Sequence, residues 1–318
     1  MKVSVIICTY NYAHLISETI ESVLNQSYPQ EKIEIIVVDD GSTDNTKEVV
    51  QKFKNKVTYI HKNNEGQTSA FNVGFNNSNG EVIFFLDSDD LFYPDKIKKV
   101  CEVYQKYNAK AVYNSLLLFG DDIKSKEFAS RNYSLNFINK INENTYKMNY
   151  KDIKNSYHFL AETSGQSYKR ELLKKIFSCP LNISPHLDFY LQAMTLLYED
   201  IYVLALPLTG YRQHSQSFSS AYKSKNTDKK QKEIAKIKFI RDVLNTHIDK
   251  EPAKTIADSI NNHLYYLKYN LEKAKNNKSK GLVYLLKYKT SPTTPQEKFK
   301  NKLRYIYQLF IDNKELST

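Results

Sequence analysis

Short, mostly apolar runs alternate with longer amphipathic stretches over the first 120 residues. Residues 3–7, 33–38, 57–61 and 82–86 are such runs, rich in Val, Ile and Phe and only five or six residues long. All four read as strands, and 82–86, which is apolar throughout, predicts one buried on both faces, the habit of a parallel sheet. Between them the spacing turns helical. Leu15, Ile16, Ile20, Val23 and Leu24 recur at the helical period over about residues 13–25, and Pro29 ends that stretch. A second helix follows Ser42, Thr43 and Asp44, any of which suits its cap, and runs to about residue 53. A third, short one covers 68–76, and a fourth 94–107, ahead of a strand at 110–119. The order β-α-β-α-β-α-β predicts a Rossmann-like, mostly parallel α/β sheet with helices on both faces.

Further on the pattern loosens. Residues 120–160 are polar, rich in Asn and Lys and weakly periodic, which predicts an insertion loop. A helix is expected to open at 186–194, with Pro185 near its first turn, and two short strands, 201–206 and 208–212, flank Pro207. From Asn226 the pattern is helical again. Ile234, Ile237, Ile240 and Leu244 share one face, Ile260, Leu264, Leu267 and Leu271 a second, and Leu303, Ile306, Tyr307 and Phe310 a third. The chain therefore divides into 1–222, with halves of about 1–109 and 110–222, and a helical appendage over 223–318.

Charge sharpens that division. The net charge is +11, but from Ala221 onward there are 22 Lys+Arg against 10 Asp+Glu, and before it 24 against 25. All of the basic excess sits on the appendage. It is read either as a solvated helical face or as a surface for anionic lipid or a second subunit. No nucleic-acid recognition motif accompanies it. Three distant cysteines, Cys8, Cys101 and Cys179, form neither a Cys-x-x-Cys pair nor a disulfide framework and fit a reducing cytoplasm. No apolar run nears the roughly 20 residues of a membrane helix, and the first residues lack a signal-peptide core. The expectation is a cytoplasmic protein, peripheral on the membrane at most.

Chemistry concentrates where strands end. The run 82–86 stops at Asp87, Asp89 and Asp90, and the run 33–38 stops at Asp39 and Asp40. In a parallel sheet both ends lie on one edge, the edge where α/β folds bind ligands. Crowded carboxylates repel one another unless a cation or strong donors intervene, and hard oxygen ligands suit Mg²⁺ or Mn²⁺ bridging to phosphate. A solvated acidic turn capping the helix near Pro94 explains the same residues more modestly. No Gly-x-Gly-x-x-Gly and no Walker lysine motif occurs, which disfavours a dinucleotide dehydrogenase or a P-loop enzyme.

The segments Val3-Ser-Val-Ile-Ile-Cys-Thr-Tyr-Asn11, Ile36-Val-Val-Asp-Asp-Gly-Ser-Thr-Asp44 and Phe85-Leu-Asp-Ser-Asp-Asp90 resemble, in order and spacing, the amino-terminal signatures of glycosyltransferase family 2. The resemblance implies the GT-A fold and an inverting transfer from a nucleotide-sugar, here a UDP-sugar, with Mn²⁺ or Mg²⁺. It implies that Thr9 and Tyr10 wall the nucleobase, that Asp40 accepts from uracil, and that Asn11, Asn72, Asp87 and Ser88 complete the donor site. Asp89 would then be the metal ligand of an Asp-x-Asp motif. Many members carry an arginine where this chain has Phe71. Thr163-Ser-Gly-Gln-Ser-Tyr-Lys-Arg170 resembles an acceptor-side segment, so Ser164, Gly165 and Arg170 are expected there, although Gly165 equally suits an ordinary turn. Asp188 falls where the family has its catalytic base, although the acid that usually precedes it is absent, and by its place alone it equally suits a helix amino terminus. Tyr211-Arg-Gln-His214 resembles the motif closing the catalytic domain, which makes His214 a second candidate metal ligand. A sugar-phosphate nucleotidylyltransferase would need a glycine-rich basic loop after the first strand, where this chain has Cys-Thr-Tyr-Asn. A degenerate nucleotide-sugar or carbohydrate-binding module is the non-enzymatic alternative. The acceptor, whether carbohydrate, lipid-linked or protein, is not legible.

Overall fold

A computed structural model of the chain describes residues 1–120, 139–153, 161–177, 187–214, 227–246, 251–275, 277, 280–281 and 283–284. Cys179, Pro185, His186, most of the polar stretch 120–160 and the helical face at Leu303 to Phe310 lie outside the described residues. By their internal contacts the residues fall into two units, 1–149 with 159–223, and 150–158 with 224–318.

The first unit is built on one mixed sheet. Strands β1 (Val3–Thr9), β2 (Ile33–Asp39), β3 (Thr58–His61) and β4 (Val82–Asp87) are parallel, in the order β3-β2-β1-β4. Every residue of β1 is buried, as expected for a strand covered on both faces. Side chains alternate between the faces along a strand. Val3, Val5 and Ile7 join a core with Ile16 and Ile20 of α1 (Ile16–Leu24), Val49 and Val50 of α2 (Thr46–Gln51), and Ile97 and Val100 of α4 (Lys96–Tyr107). Ile6 points the other way, against Gly74 of α3 (Gln67–Asn76), where a side chain would come within 2.3 Å of the Ile6 methyl. Helices thus cover both faces of the parallel strands.

The sheet departs from the all-parallel pattern beyond β4. Strands β5 (Leu91–Phe92), β6 (Ala111–Phe119), β7 (Asn139–Lys140) and β8 (Thr145–Met148) follow in the chain. After them β9 (Gln166–Lys169) inserts between β4 and β6, antiparallel to both. The helix α5 (Arg170–Ile176) follows it directly, and α6 (Leu187–Tyr198) precedes β10. β10 (Ile201–Arg212) runs parallel to β6 as one strand rather than two. Its register shifts on either side of the exposed Pro207, because proline has no N–H for the ladder and the strand bulges around it. Cys8 and Cys101 are buried free thiols.

The second unit holds α7 (Thr227–Asn245) and α8 (Glu251–Ala274), packed on one another. Ile237, Ile240 and Leu244 of α7, and Ile260, Leu264, Leu267 and Leu271 of α8, are buried, as the period predicts. Arg241 of α7 donates to Asn261 of α8 at 3.1 Å, and Tyr150 donates to Glu251 at 3.1 Å. No described helix is long and apolar enough to cross a membrane.

Candidate functional site

The register of the parallel strands brings their acidic ends side by side. Thr9 pairs with Asp39, and Cys8 with Asp87, so the ends of β1, β2 and β4 share one edge. The backbone N–H of Asp40 donates to the Thr9 carbonyl at 2.9 Å, joining the two loops at their root. Asn11 sits at φ 57°, a conformation Asn tolerates. Its side-chain oxygen accepts from the Thr43 N–H at 2.8 Å and its own N–H donates to Ser42 at 2.8 Å. Asn11 thus clasps the first loop to the second, while Tyr10 beside it is 45% exposed.

Asp39 and Asp40 divide their work. Asp39 is buried and accepts from the Ser42 N–H at 2.8 Å and the Tyr59 hydroxyl at 2.6 Å, which organises the loop. Asp40 accepts from Lys62 Nζ at 2.9 Å, from the Glu65 N–H at 3.1 Å and from the Gly66 N–H at 2.7 Å. Gly66 holds φ 94°, which favours glycine, and opens α3. Lys62 follows β3, and its charge reaches this edge because β3 is parallel to β2.

The β4 turn carries the densest charge. Asp87 accepts from Gln67 Nε2 at 2.6 Å, and burial together with the charge of Asp89 pushes its carboxyl up to about 7. Asp90 is wholly buried; one oxygen accepts from the Arg212 N–H at 2.9 Å, and the other has no partner among the described residues. Burial and the charges of Asp89 and Asp87 hold Asp90 well above the usual carboxylate range. The backbone of Ser88, itself buried, is anchored by Thr19, whose hydroxyl donates to the carbonyls of Ser88 at 2.8 Å and Asp90 at 3.0 Å. Asp89 is half-buried, and its Oδ2 lies 3.0 Å from His214 Nε2. The His214 ring meets Tyr12 edge-on at 5.6 Å between centroids. Burial and the charges of Asp89, Asp87 and Asp90 hold the Tyr12 phenol well above its ordinary value.

Behind the turn lie two basic side chains, Arg212 of the Tyr211-to-His214 motif and Lys96, which no motif revealed. Arg212 Nε donates to the Asp89 carbonyl at 2.9 Å, its guanidinium pairs with Glu18 of α1, and it lies 4.4 Å from the Phe119 ring centre. Lys96 is completely buried, donates to the Ser164 carbonyl and to Thr209 Oγ1 at 2.7 Å, and sits 3.8 Å from the centre of the Phe92 ring.

Asp188 stands in the first turn of α6, accepts from the Phe189 N–H at 2.7 Å, and is pushed up to about 7 by burial and by the charge of Asp87. Gln166 of β9, which donates to the backbone carbonyl of Asp188 at 3.3 Å, ties the start of α6 to the strand beside β4. Ser164 and Gly165 are buried beneath it, with Ser164 Oγ accepting from the Asp87 N–H at 3.0 Å. Asn72 is half-buried in the middle of α3, and Phe71 beside it packs on Phe85 with centroids 4.7 Å apart. Arg170 is not at this edge. Because β9 is antiparallel to β4, Lys169 pairs with Val82, and Arg170 caps the opposite end, donating to the Gly80 carbonyl at 2.7 Å and to Ser78 at 2.8 Å.

The donors fit a hard or borderline divalent cation: a partly exposed carboxylate, Asp89, with an imidazole nitrogen 3.0 Å away and the carboxyls of Asp87 and Asp90 in the same turn. Among the described residues no three His, Cys, Asp or Glu side chains form a cage. Were Asp89 and His214 to hold such an ion, the remaining ligands would have to come from elsewhere, phosphate oxygens among them.

Residues 4–177 match the family model described as glycosyl transferase family 2. An uncharacterised glycosyltransferase of Nostoc sp. is 33% identical over 250 residues, 77% of this chain and 75% of that protein. One of Rickettsia felis is 45% identical over 126 residues, 35% of this chain but only 21% of its own length. Among solved structures, Staphylococcus aureus TarS 1–349 with UDP-GlcNAc superposes with TM-score 0.59 at 21% identity, covering 90% of this chain and 91% of that one. The mannosyltransferase PcManGT of Pyrobaculum calidifontis, with GDP-Man and Mn²⁺, gives 0.59 at 16% identity, covering 98% and 86%.

Proposed function

The chain belongs to glycosyl transferase family 2, and from that premise we propose that it is an inverting, metal-dependent transferase moving a sugar from a UDP-sugar to an acceptor hydroxyl. One observation supports the reading: Asp89, in the turn that ends β4, lies 3.0 Å from His214, which follows β10, and the charge of Asp87 in the same turn is felt at Asp188 of α6.

Each group has a task. Asp188, with a carboxyl near neutrality, takes the proton from the acceptor hydroxyl as its oxygen attacks the anomeric carbon. The new C–O bond forms as the bond from that carbon to the diphosphate oxygen breaks, and the diphosphate leaves with the electron pair. Attack from the opposite face inverts the anomeric centre. Asp89 and His214 would hold Mn²⁺ or Mg²⁺, which when bound supplies positive charge for the leaving diphosphate. Tyr10, exposed beside buried Thr9, offers a ring face to the base. Asp40, fixed by Lys62 and Gly66, keeps lone-pair directions for a donor on the uracil ring. With Phe71 buried in place of an arginine, the charge on the diphosphate falls to the cation site. The basic excess of the appendage supports a peripheral contact with an anionic surface on the cytoplasmic face, where a lipid-linked acceptor would be presented.

The test is a thermal-shift panel of UDP-sugars and GDP-mannose with and without Mn²⁺, followed by nucleotide release from the best binder. A UDP-sugar is expected to raise Tm only with the cation, since a ligand bound to the native state alone stabilises it. Stabilisation by GDP-mannose alone would reassign the donor, and stabilisation undiminished by EDTA would remove the metal.

A further inference from the structure

The β4 turn and Asp188 stand on elements about 100 residues apart in the chain, and one short buried stretch touches both. Ser164 receives the Asp87 N–H through its hydroxyl at 3.0 Å and receives Lys96 through its carbonyl. Two residues on, Gln166 opens β9 with no exposure to solvent. Its Nε2 donates to the Ala161 carbonyl at 2.7 Å and to the backbone carbonyl of Asp188 at 3.3 Å.

The amide is held in one orientation. The Tyr168 hydroxyl donates to Gln166 Oε1 at 2.6 Å, and the Tyr113 hydroxyl lies 2.6 Å from that of Tyr168. The Ala161 and Asp188 carbonyls only accept, so they require the amide nitrogen on their side and the oxygen cannot exchange with it; Tyr168 then spends its proton on Oε1, and Tyr113 donates to Tyr168. Both tyrosines are fully buried, so water does not compete. Between Ser164 and Gln166 the chain has no room to yield: a Cβ on Gly165 would lie 2.9 Å from the Ala161 Cβ and 3.1 Å from the Asn114 carbonyl.

We propose that Gln166 is a positioning residue, and that the Ser164–Gln166 stretch sets the separation between the donor-holding turn and Asp188. The inference rests on the reading of Asp188 as the base. Nothing in the role requires Gln166 to touch substrate. It holds the first turn of α6 at a fixed distance from the strand end that carries Asp87, and a displacement of about 1 Å at reacting atoms costs about 10²-fold in rate.

The test compares the full chain with Gln166→Met, which keeps the volume and loses both polar ends, and with Tyr168→Phe, which keeps the ring and loses only the hydroxyl. The reaction is UDP release from the best UDP-sugar of the panel, with Mn²⁺ and water as acceptor. For Gln166→Met, kcat is expected to fall by about 10- to 100-fold while the donor KM stays within about threefold. Tyr168→Phe, the variant to use should Gln166→Met not fold, is expected to lose about three- to tenfold with the same constancy of KM. Amide exchange in the first turn of α6 is expected to quicken about tenfold in both variants while that of β4 does not change. An unchanged kcat, or a donor KM rising in step with the loss, overturns the proposal. If Asp188→Asn releases UDP as fast as the wild type, the base assignment is what fails. Exchange in α6 then decides alone: faster exchange upholds the strut, and unchanged exchange overturns it.

Discussion

Replacing Asp188 by Asn removes a proton acceptor while preserving shape and the bond to the Phe189 N–H. Loss of a general base costs about 10²- to 10⁴-fold, or roughly 3–5 kcal/mol of transition-state stabilisation. The pH dependence is more diagnostic. Burial and Asp87 push the Asp188 carboxyl from its ordinary 3.8 up to about 7. Only the ionised form accepts a proton, so kcat/KM should rise about tenfold per pH unit up to about pH 7 and then level. At pH 6 the wild type should run at about a tenth of its plateau, and the Asn variant should show no such limb. Stability moves the other way. A carboxyl with a raised folded-state pKa contributes stability that is fully present below about pH 4 and is lost as pH rises through about 7. Each tenfold difference in proton affinity between folded and unfolded chain is worth about 1.4 kcal/mol, so the wild type forfeits at most about 4 kcal/mol over that window. Asp188→Asn should therefore gain on the wild type in urea midpoint between pH 5 and pH 8 while losing turnover. Transfer within about threefold of wild type, or an acid limb near pH 7 that survives the substitution, would refute the assignment.

Asp89→Ala and His214→Ala should each abolish the Mn²⁺-dependent part of UDP affinity, measured by titration calorimetry with and without EDTA, while circular dichroism stays native. The full chain should co-sediment with anionic but not neutral vesicles and release at high salt, since each basic residue near such a surface is worth on the order of 1 kcal/mol before screening. Absence of binding at low salt would leave the basic helices to assembly or solubility.

Much of this was readable in the residues because burial on both faces leaves a plain mark. The runs at β1, β2 and β4 needed no context, and the rule that parallel strands end on one edge joined Asp40 to Asp87 before any coordinates. The helical period likewise found Ile237, Ile240 and Leu244. What escaped was set by pairing partners rather than by pattern. β9 is four residues, Gln-Ser-Tyr-Lys, with no apolar run, and it is a strand because β4 and β6 offer it two open edges. Its antiparallel direction carries Arg170 away from the site, a fact that no spacing encodes. Lys62 could have been found, since it follows a parallel strand ending on the same edge. Lys96 could not: a lysine in the first turn of an amphipathic helix reads as solvated, and only the tertiary fold turns it inward to Ser164 and Thr209. Pro207 suggested a break, but a bulge lets a single strand pass through it.

The late insertion of β9 also bears on how the molecule is made. When about 110 residues have left the ribosome, β1 to β4 can already pair, yet β4 keeps one edge bare along Val-Ile-Phe, and the strand that will cover it is not yet synthesised. At about 5–20 residues per second the wait lasts roughly 3–12 s, during which an apolar strand edge is open to other nascent chains. Arrested chains ending near residue 110 should therefore bind chaperone and be cut by protease more readily than chains ending beyond residue 210, and the substrate edge would be assembled last of all, once β10 has delivered His214.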